Sequence, residues 1–330
     1  MARRRQRVIR RLLEEVPLSS DRAYAIAARL GLATTLSVFS LIVLGSVVRS
    51  TGSGLACPDW PLCQGRLIPQ FEFHVMVEWL HRTVALVVSL LVFATSLWIL
   101  FHRALRARLG AWMVLALALL LTQVLLGALT VWKLLHPSVV SSHLAVALLL
   151  FAVLLTLTLI AESEAVASGP APAGALGRSP LLLPTFALAT ALTYLQAVLG
   201  GVVSTNHAGL ACPDWPTCFG RWFPPLEGLA GLQMLHRYGA YVLTACMVVG
   251  AFAARSAPDA GVRAGATMTL GLTFGQVVLG VCNVLLGTPA WISALHIATA
   301  AALLGLLIVV TYRVALLPVS EPRLVAVPAP

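Results

Sequence analysis

The chain predicts an all-α integral membrane protein: eight transmembrane helices arranged as two tandem, parallel-repeat four-helix bundles. Three observations carry this prediction. Hydrophobic residues make up 59% of the chain and charged residues only 10%, whereas a soluble globular domain carries about a quarter charged residues. Eight stretches are apolar for long enough to cross a hydrocarbon core, which takes about 20 helical residues. The heptapeptide CPDWPLC at Cys57 to Cys63 returns as CPDWPTC at Cys212 to Cys218, 155 residues later, and such self-similarity marks an internal repeat.

A basic segment, 1–29, comes first. Within it RVIRRLLEEV reads as a helix lying on the anionic inner leaflet. No stretch combines a short apolar run with a small-residue cleavage site, so the segment is expected to be retained. The first bundle, 30–161, holds apolar stretches at 30–48, 83–101, 110–132 and 137–161. The second, 180–315, holds them at 180–203, 238–254, 264–286 and 291–312. The sixth of these is short and has to borrow helix from Gln233 to Arg237. Residues 162–179, rich in Ala, Pro, Gly and Ser, read as a cytoplasmic linker, and 316–330 as a cytoplasmic tail. Four spans return each half to its starting side, so the repeats are parallel and related by an axis along the membrane normal.

A net charge of +10 raises the question of nucleic acid, but its distribution answers otherwise. With the N-terminus cytoplasmic, sixteen of the basic residues fall on the inner side. Only Arg49, Arg66, Arg82, Lys133, Arg221 and Arg237 fall on the outer side. That asymmetry is the positive-inside rule. It predicts a multi-pass protein of the cell membrane with both termini inside and the Cys loops on the outer face. Its partner is membrane lipid rather than nucleic acid.

Four of the eight histidines lie within or at the edge of spans, in matched pairs. His81 and His236 are 155 residues apart, and His143 and His296 are 153 apart. At 1.5 Å per residue both members of a pair sit roughly 6 to 10 Å below the outer surface. Two imidazoles facing across a bundle core suit the axial positions of a haem iron. Zinc is disfavoured, because no thiolate or carboxylate completes a tetrahedral set around either pair. The other reading is four polar residues, each hydrogen-bonded between helices. His74, His102, His136 and His207 fall in loops or at interfaces and are read as surface residues.

The halves differ beside the first histidine of each pair, Glu78-Trp-Leu-His81-Arg82 against Gln233-Met-Leu-His236-Arg237. A spacing of three puts Glu78 on the His81 face of its helix. A carboxyl there is costly enough to imply function, unless it serves as the partner of Arg82 or Arg49. Arg82 and Arg237 either neutralise haem propionates or snorkel to lipid headgroups. C-x5-C closes a small ring on a disulfide-permissive face, so Cys57 pairs with Cys63 and Cys212 with Cys218, forming caps over the bundle mouths; a redox role for the first pair, near Glu78, is the other reading, and a metal site is disfavoured because no His stands at ligand spacing. Cys246 and Cys282 read as core packing. A smaller repeat, Q-x-x-L-G, occurs at Gln123 to Gly127, Gln196 to Gly200 and Gln276 to Gly280, with Leu41 to Gly45 as a variant lacking Gln. Its Gly permits either close helix approach or contact with a planar ligand.

Eight spans, a Cys-pair loop, Glu-x-x-His-Arg opening span two, His in span four and a repeat without the Glu together resemble the haem A synthase family of the COX15/CtaA type. The resemblance covers about residues 30 to 315. It implies an oxidoreductase that converts the C8 methyl of haem O to a formyl by two successive hydroxylations, giving haem A for cytochrome oxidase. Carried over, it implies that His81 and His143 bind the substrate haem O, that His236 and His296 bind a haem b cofactor, and that Glu78 is the catalytic carboxylate. Haem O synthase and a second copy of the chain are the further candidate partners. The competing reading is a two-haem b-type cytochrome that only transfers electrons. It leaves the exchange of Glu78 for Gln233 without a purpose. A parallel-repeat transporter would instead place its polar residues near the midplane.

Overall fold

A computed structural model describes residues 19–166 and 177–319. The surface helix expected near the N-terminus, most of the linker and the tail lie outside these residues. Apart from the loops, the longest of them at 51–72 and 206–227, the described chain is helical: α1 Ser20–Ser50, α2 Phe73–Phe101, α3 Arg103–Trp132, α4 Pro137–Val166, α5 Leu182–Thr205, α6 Gly228–Ala254, α7 Ala260–Leu285 and α8 Ala290–Leu316. A single 3-10 turn, Ala208–Leu210, follows α5. All eight helices are long and apolar enough to cross a membrane.

The apolar stretches mark where the helices end better than where they begin. Helix α1 starts ten residues before its stretch, at Ser20, and α2 and α6 likewise start at Phe73 and Gly228. Once a helix is nucleated, each added residue gains a backbone hydrogen bond whatever its polarity. The helices therefore overrun the apolar band, carrying Arg22, Arg29, Arg103 and Arg106, whose long stems reach back to water. Helix α4 runs to Val166, inside the expected linker. Their ends are set locally. His102, extended at φ −93°, ψ 114°, separates α2 from α3, and the Asp259 carboxylate accepts the Val262 N–H at 2.7 Å to cap α7.

Helices α1 to α4 form one ring, in which α1 and α3 each pack against both α2 and α4. Helices α5 to α8 form another, in which α5 and α7 each pack against both α6 and α8. The rings meet along α1–α8, α4–α5 and α4–α8. Small and hydroxylated residues make these contacts close, as expected where lipid gives helices no hydrophobic reason to associate. Thr34 and Thr95 hydroxyls lie 3.0 Å apart between α1 and α2, and Ser141 and Thr205 2.8 Å apart between α4 and α5. Phe151, Leu154 and Leu157 of α4 are buried in the shared core. Arg49 Nη2 donates to the Ser204 carbonyl at 2.9 Å, so the C-terminal ends of α1 and α5, and with them both Cys loops, lie at one end of the molecule.

Candidate functional site

The four histidines occupy equivalent places. His81 and His236 are each the ninth residue of their helices, α2 and α6, and His143 and His296 each the seventh of α4 and α8. Helices α2 and α4 are diagonal in the first ring, and α6 and α8 in the second. His143 is an electrostatic neighbour of His81, and His296 of His236. Each imidazole lies with its Cε1 edge against a glycine of the preceding helix, Gly45, Gly127, Gly200 and Gly280 respectively. A Cβ at those glycines would come within 3.2, 3.4, 3.0 and 3.2 Å of Cε1. The glycine of the small repeat is thus a seat for the ring.

The Nδ1 atoms of His81, His143 and His296 are buried without a hydrogen-bond partner. His236 differs, since Gln196 Nε2 lies 3.0 Å from its Nδ1 and also donates to its backbone carbonyl at 2.7 Å. Gln276 Nε2 donates to the His296 carbonyl at 2.9 Å. Among the described residues no group of three or more His, Cys, Asp or Glu converges, which leaves each pair as a two-ligand set. Paired imidazoles on diagonal helices, each seated on a glycine, fit a haem: His81 with His143 and His236 with His296 would hold its iron.

Above each first histidine sits a folded loop. Cys57–Cys63 and Cys212–Cys218 are disulfide-bonded and buried against Val75 and Met234 of the adjoining helices. The aspartate of each heptapeptide closes the turn that follows it. Asp59 accepts the N–H of Gln64 at 2.6 Å and of Gly65 at 2.8 Å. Asp214 accepts the N–H of Phe219 at 2.8 Å and of Gly220 at 3.0 Å, together with the Thr217 hydroxyl. Gly65 and Gly220 have φ of +69° and +73°, a conformation suited to glycine. The Gly65 N–H, then that of Gln64, holds the Asp59 carboxyl below its usual range. The Thr217 hydroxyl, then the Gly220 N–H, does the same for Asp214.

The arginines clamp these loops. Arg82 donates from Nη1 to the carbonyls of Asp59 and of Leu62, the latter at 2.6 Å, and from Nη2 to that of Cys57 at 2.8 Å. Arg237 donates to the matching carbonyls of Asp214, Thr217 and Cys212 at 2.8, 2.6 and 2.8 Å. The guanidinium that follows each histidine is therefore engaged by the loop above it. The sequence points to propionates, lipid headgroups or, for Arg82, Glu78 as the partners of these arginines, and the loop carbonyls add a role to them. Its signal was available, an Arg fixed beside His in both copies and at a constant distance from the loop.

Glu78 is 4% exposed. Its Oε1 accepts from Arg82 Nη2 at 2.6 Å and its Oε2 from the Cys57 N–H at 2.8 Å. Of the two readings open in the sequence, the structure displays the partnership with Arg82 directly, and it adds the loop backbone. Gln233, equally buried, leaves its Oε1 without a partner. The first loop is thus held at one more point than the second, the Cys57 N–H on Glu78, and its clamping arginine carries a carboxylate partner besides.

The remaining histidines serve local structure. His74 Nδ1 lies 3.0 Å from Ser53 Oγ, His102 Nδ1 2.7 Å from the Trp98 carbonyl and His136 Nδ1 2.9 Å from Ser138 Oγ. His207 takes a left-handed φ of +55° before the 3-10 turn. A groove of about 540 Å³ opens between α4 and α5, lined in part by His136, Ser142 and Asn206, and contains none of the four paired histidines. Cys246 and Cys282 are free and partly buried within α6 and α7.

Residues 28–308 match the family model described as cytochrome oxidase assembly protein, COX15-CtaA. The chain is similar to heme A synthases of several bacteria. It is 30% identical to that of Methylobacterium sp. (strain 4-46) over 320 residues, covering 82% of this chain and 86% of the relative. With that of Symbiobacterium thermophilum it shares 31% identity over 255 residues, 76% and 82% of the two chains. With that of Shewanella oneidensis it shares 30% over 327 residues, 83% and 93%.

Proposed function

The chain belongs to the COX15-CtaA family of cytochrome oxidase assembly proteins, and on that premise we propose that it is a haem A synthase, an enzyme that oxidises a methyl group of haem O to the formyl group of haem A. The observation that carries the reading is the whole-length similarity to heme A synthases together with four histidines seated alike on four glycines. Two successive hydroxylations of the C8 methyl, each a two-electron oxidation drawing on an oxidant supplied to the protein, give a gem-diol, which loses water to the formyl.

Within this reading His81 and His143 hold the substrate haem O in the bundle α1–α4. His236 and His296 hold a resident haem b in α5–α8, where the bound group supplies electron transfer. The two bundles, 30–161 and 180–315, are the halves of a duplicated unit. The cell-membrane placement has both termini cytoplasmic and the Cys loops outside. Glu78 is the catalytic carboxylate. Both its oxygens already accept hydrogen bonds, which supports a role in holding negative charge beside His81 over one in accepting a proton. Arg82 and Arg237, engaged by the loop carbonyls, support the site by fixing the caps; any propionate contact would have to be made from that clamped position.

The test is expression of the chain with a source of haem O, followed by extraction and chromatography of the haems. Haem A is expected from the wild type and its loss from Glu78→Gln. Haem b alone from the wild type would overturn the synthase reading.

A further inference from the structure

Each Cys loop continues into a short apolar finger that neither the histidines nor the arginine clamps use. Arg66-Leu67-Ile68-Pro69 follows the first loop and Arg221-Trp222-Phe223-Pro224 the second, 155 residues apart. The fingers are fixed at their roots. Cys63 and Arg66 exchange backbone hydrogen bonds of 3.2 and 3.0 Å, and Cys218 and Arg221 exchange bonds of 3.0 and 3.1 Å. Their tips are nevertheless bare, with Leu67 and Ile68 81% and 73% exposed and Trp222 and Phe223 59% and 85% exposed. Four large apolar side chains held in matching places in water would be a standing cost of hydration.

Both tips are also tied to the helix that follows. The Trp79 indole N–H donates to the Leu67 carbonyl and the Tyr238 hydroxyl to the Trp222 carbonyl, each at 2.7 Å. Trp79 lies two residues before His81 and Tyr238 two after His236, so the two copies tie the same carbonyl from different positions. Two residues are about 3 Å along a helix, and the histidines lie roughly 6 to 10 Å below the surface. The ties therefore hang from within the spans rather than above them. Tyr238 shows on which side. Leu235 and Val242, three residues before it and four after on one helix face, are 44% and 59% exposed, and the Phe223 ring centre lies 6.2 Å from that of Tyr238. On α2, Leu86, two turns beyond Trp79, is likewise exposed. In a spanning helix such a face meets lipid.

We propose that the two fingers are interfacial anchors. Leu67, Ile68, Trp222 and Phe223 insert into the phospholipid leaflet at the loop end of the molecule, and Arg66 and Arg221, both exposed, meet its phosphates. Apolar and aromatic side chains at that level suit the boundary between headgroups and chains, and the guanidinium fork suits phosphate. Because each finger is bonded to its Cys loop, the bilayer helps to hold both caps over the bundle mouths.

The experiment uses the full-length protein lacking Cys246 and Cys282, reconstituted into phosphatidylcholine–phosphatidylglycerol vesicles, with a nitroxide on a cysteine placed at Ile68 or Phe223. Power saturation of the label's EPR signal compares its collisions with oxygen, which concentrates in the bilayer, and with a water-soluble nickel chelate. Oxygen should relax both labels more than the chelate does, as it does a label at lipid-facing Val242. A chelate-dominated response at either finger, the mark of a tip standing in water or kept for a protein partner, would overturn the proposal. Should the cysteine variants fail to accumulate, wild type and Trp222→Phe are compared in vesicles of brominated phosphatidylcholine, whose bromines quench tryptophan on contact. The emission removed by bromolipid should be smaller in Trp222→Phe, and equal losses overturn the proposal alone.

Discussion

At the scale of single residues, the glycine seats and the arginine clamps are where small changes act most. An alanine Cβ at Gly200 would stand 3.0 Å from His236 Cε1, and at Gly127 3.4 Å from His143; the first distance forces the ring to move and the second is near ordinary contact. Gly200→Ala is therefore expected to lower the haem-to-protein ratio well below wild type and Gly127→Ala to lower it least of the four, as read from absorbance after purification. Arg82→Ala removes three loop contacts and leaves Glu78 buried without its cation, a change that costs about 3–5 kcal/mol when a buried pair is broken. Arg237→Ala faces a neutral Gln233 and should cost less. Thermal unfolding in detergent should rank them so, and Glu78→Gln combined with Arg82→Ala should recover part of the loss. The Asp59 and Asp214 carboxyls, both held below their usual range, stabilise the loops above the ordinary aspartate value of about 4. That stability is lost as pH falls through their lower folded values. Limited proteolysis of the loops should accordingly begin only below about pH 4, and the onset should disappear in Asp59→Asn for the first loop.

At the scale of elements, helix identity is legible in the sequence, and so are the beginnings of α4, α5 and α8, but those of α1, α2 and α6 are not. The apolar stretch that starts at 83 belongs to a helix starting at Phe73, because hydropathy reports the hydrocarbon band while backbone hydrogen bonding continues past it. Likewise the pairing of His81 with Gly45 could not be read from α2 alone, since the glycine lies in the preceding helix. The Q-x-x-L-G repeat flagged the position without saying that it backs a ring. Contacts between helices are carried by hydroxyls at the seams, and such bonds are worth about 0.6 kcal/mol on average within membranes. Ser141→Ala with Thr205→Val, which removes the 2.8 Å pair between α4 and α5, should thus lower stability by only about 0.6–1.7 kcal/mol. A larger loss would mean that this seam is ordered by more than its packing.

At the scale of the whole molecule, the asymmetry of charge and the geometry of the two ends bear on the same question. The Arg49 to Ser204 contact gathers both disulfide loops at one end. At the opposite end Tyr24 donates to the Ala104 carbonyl at 3.2 Å, Arg108 pairs with Glu164 at 2.8 Å and the Arg178 N–H donates to the Pro318 carbonyl at 2.7 Å. That second end also carries Arg22, Arg103, Arg106, Arg255, Arg263 and Arg313. Basic residues near span ends resist translocation, so the arginine-rich end should stay cytoplasmic and the loops should face the oxidising side, where their disulfides persist. A cysteine placed at Arg106 in a background lacking Cys246 and Cys282 should resist a membrane-impermeant maleimide added to intact cells and react after the membrane is opened. One placed at Arg66, beside the first loop, should react in intact cells. Reversal of the two patterns would mean that the molecule sits the other way up, and the disulfide caps would then face a reducing compartment in which they could not be maintained.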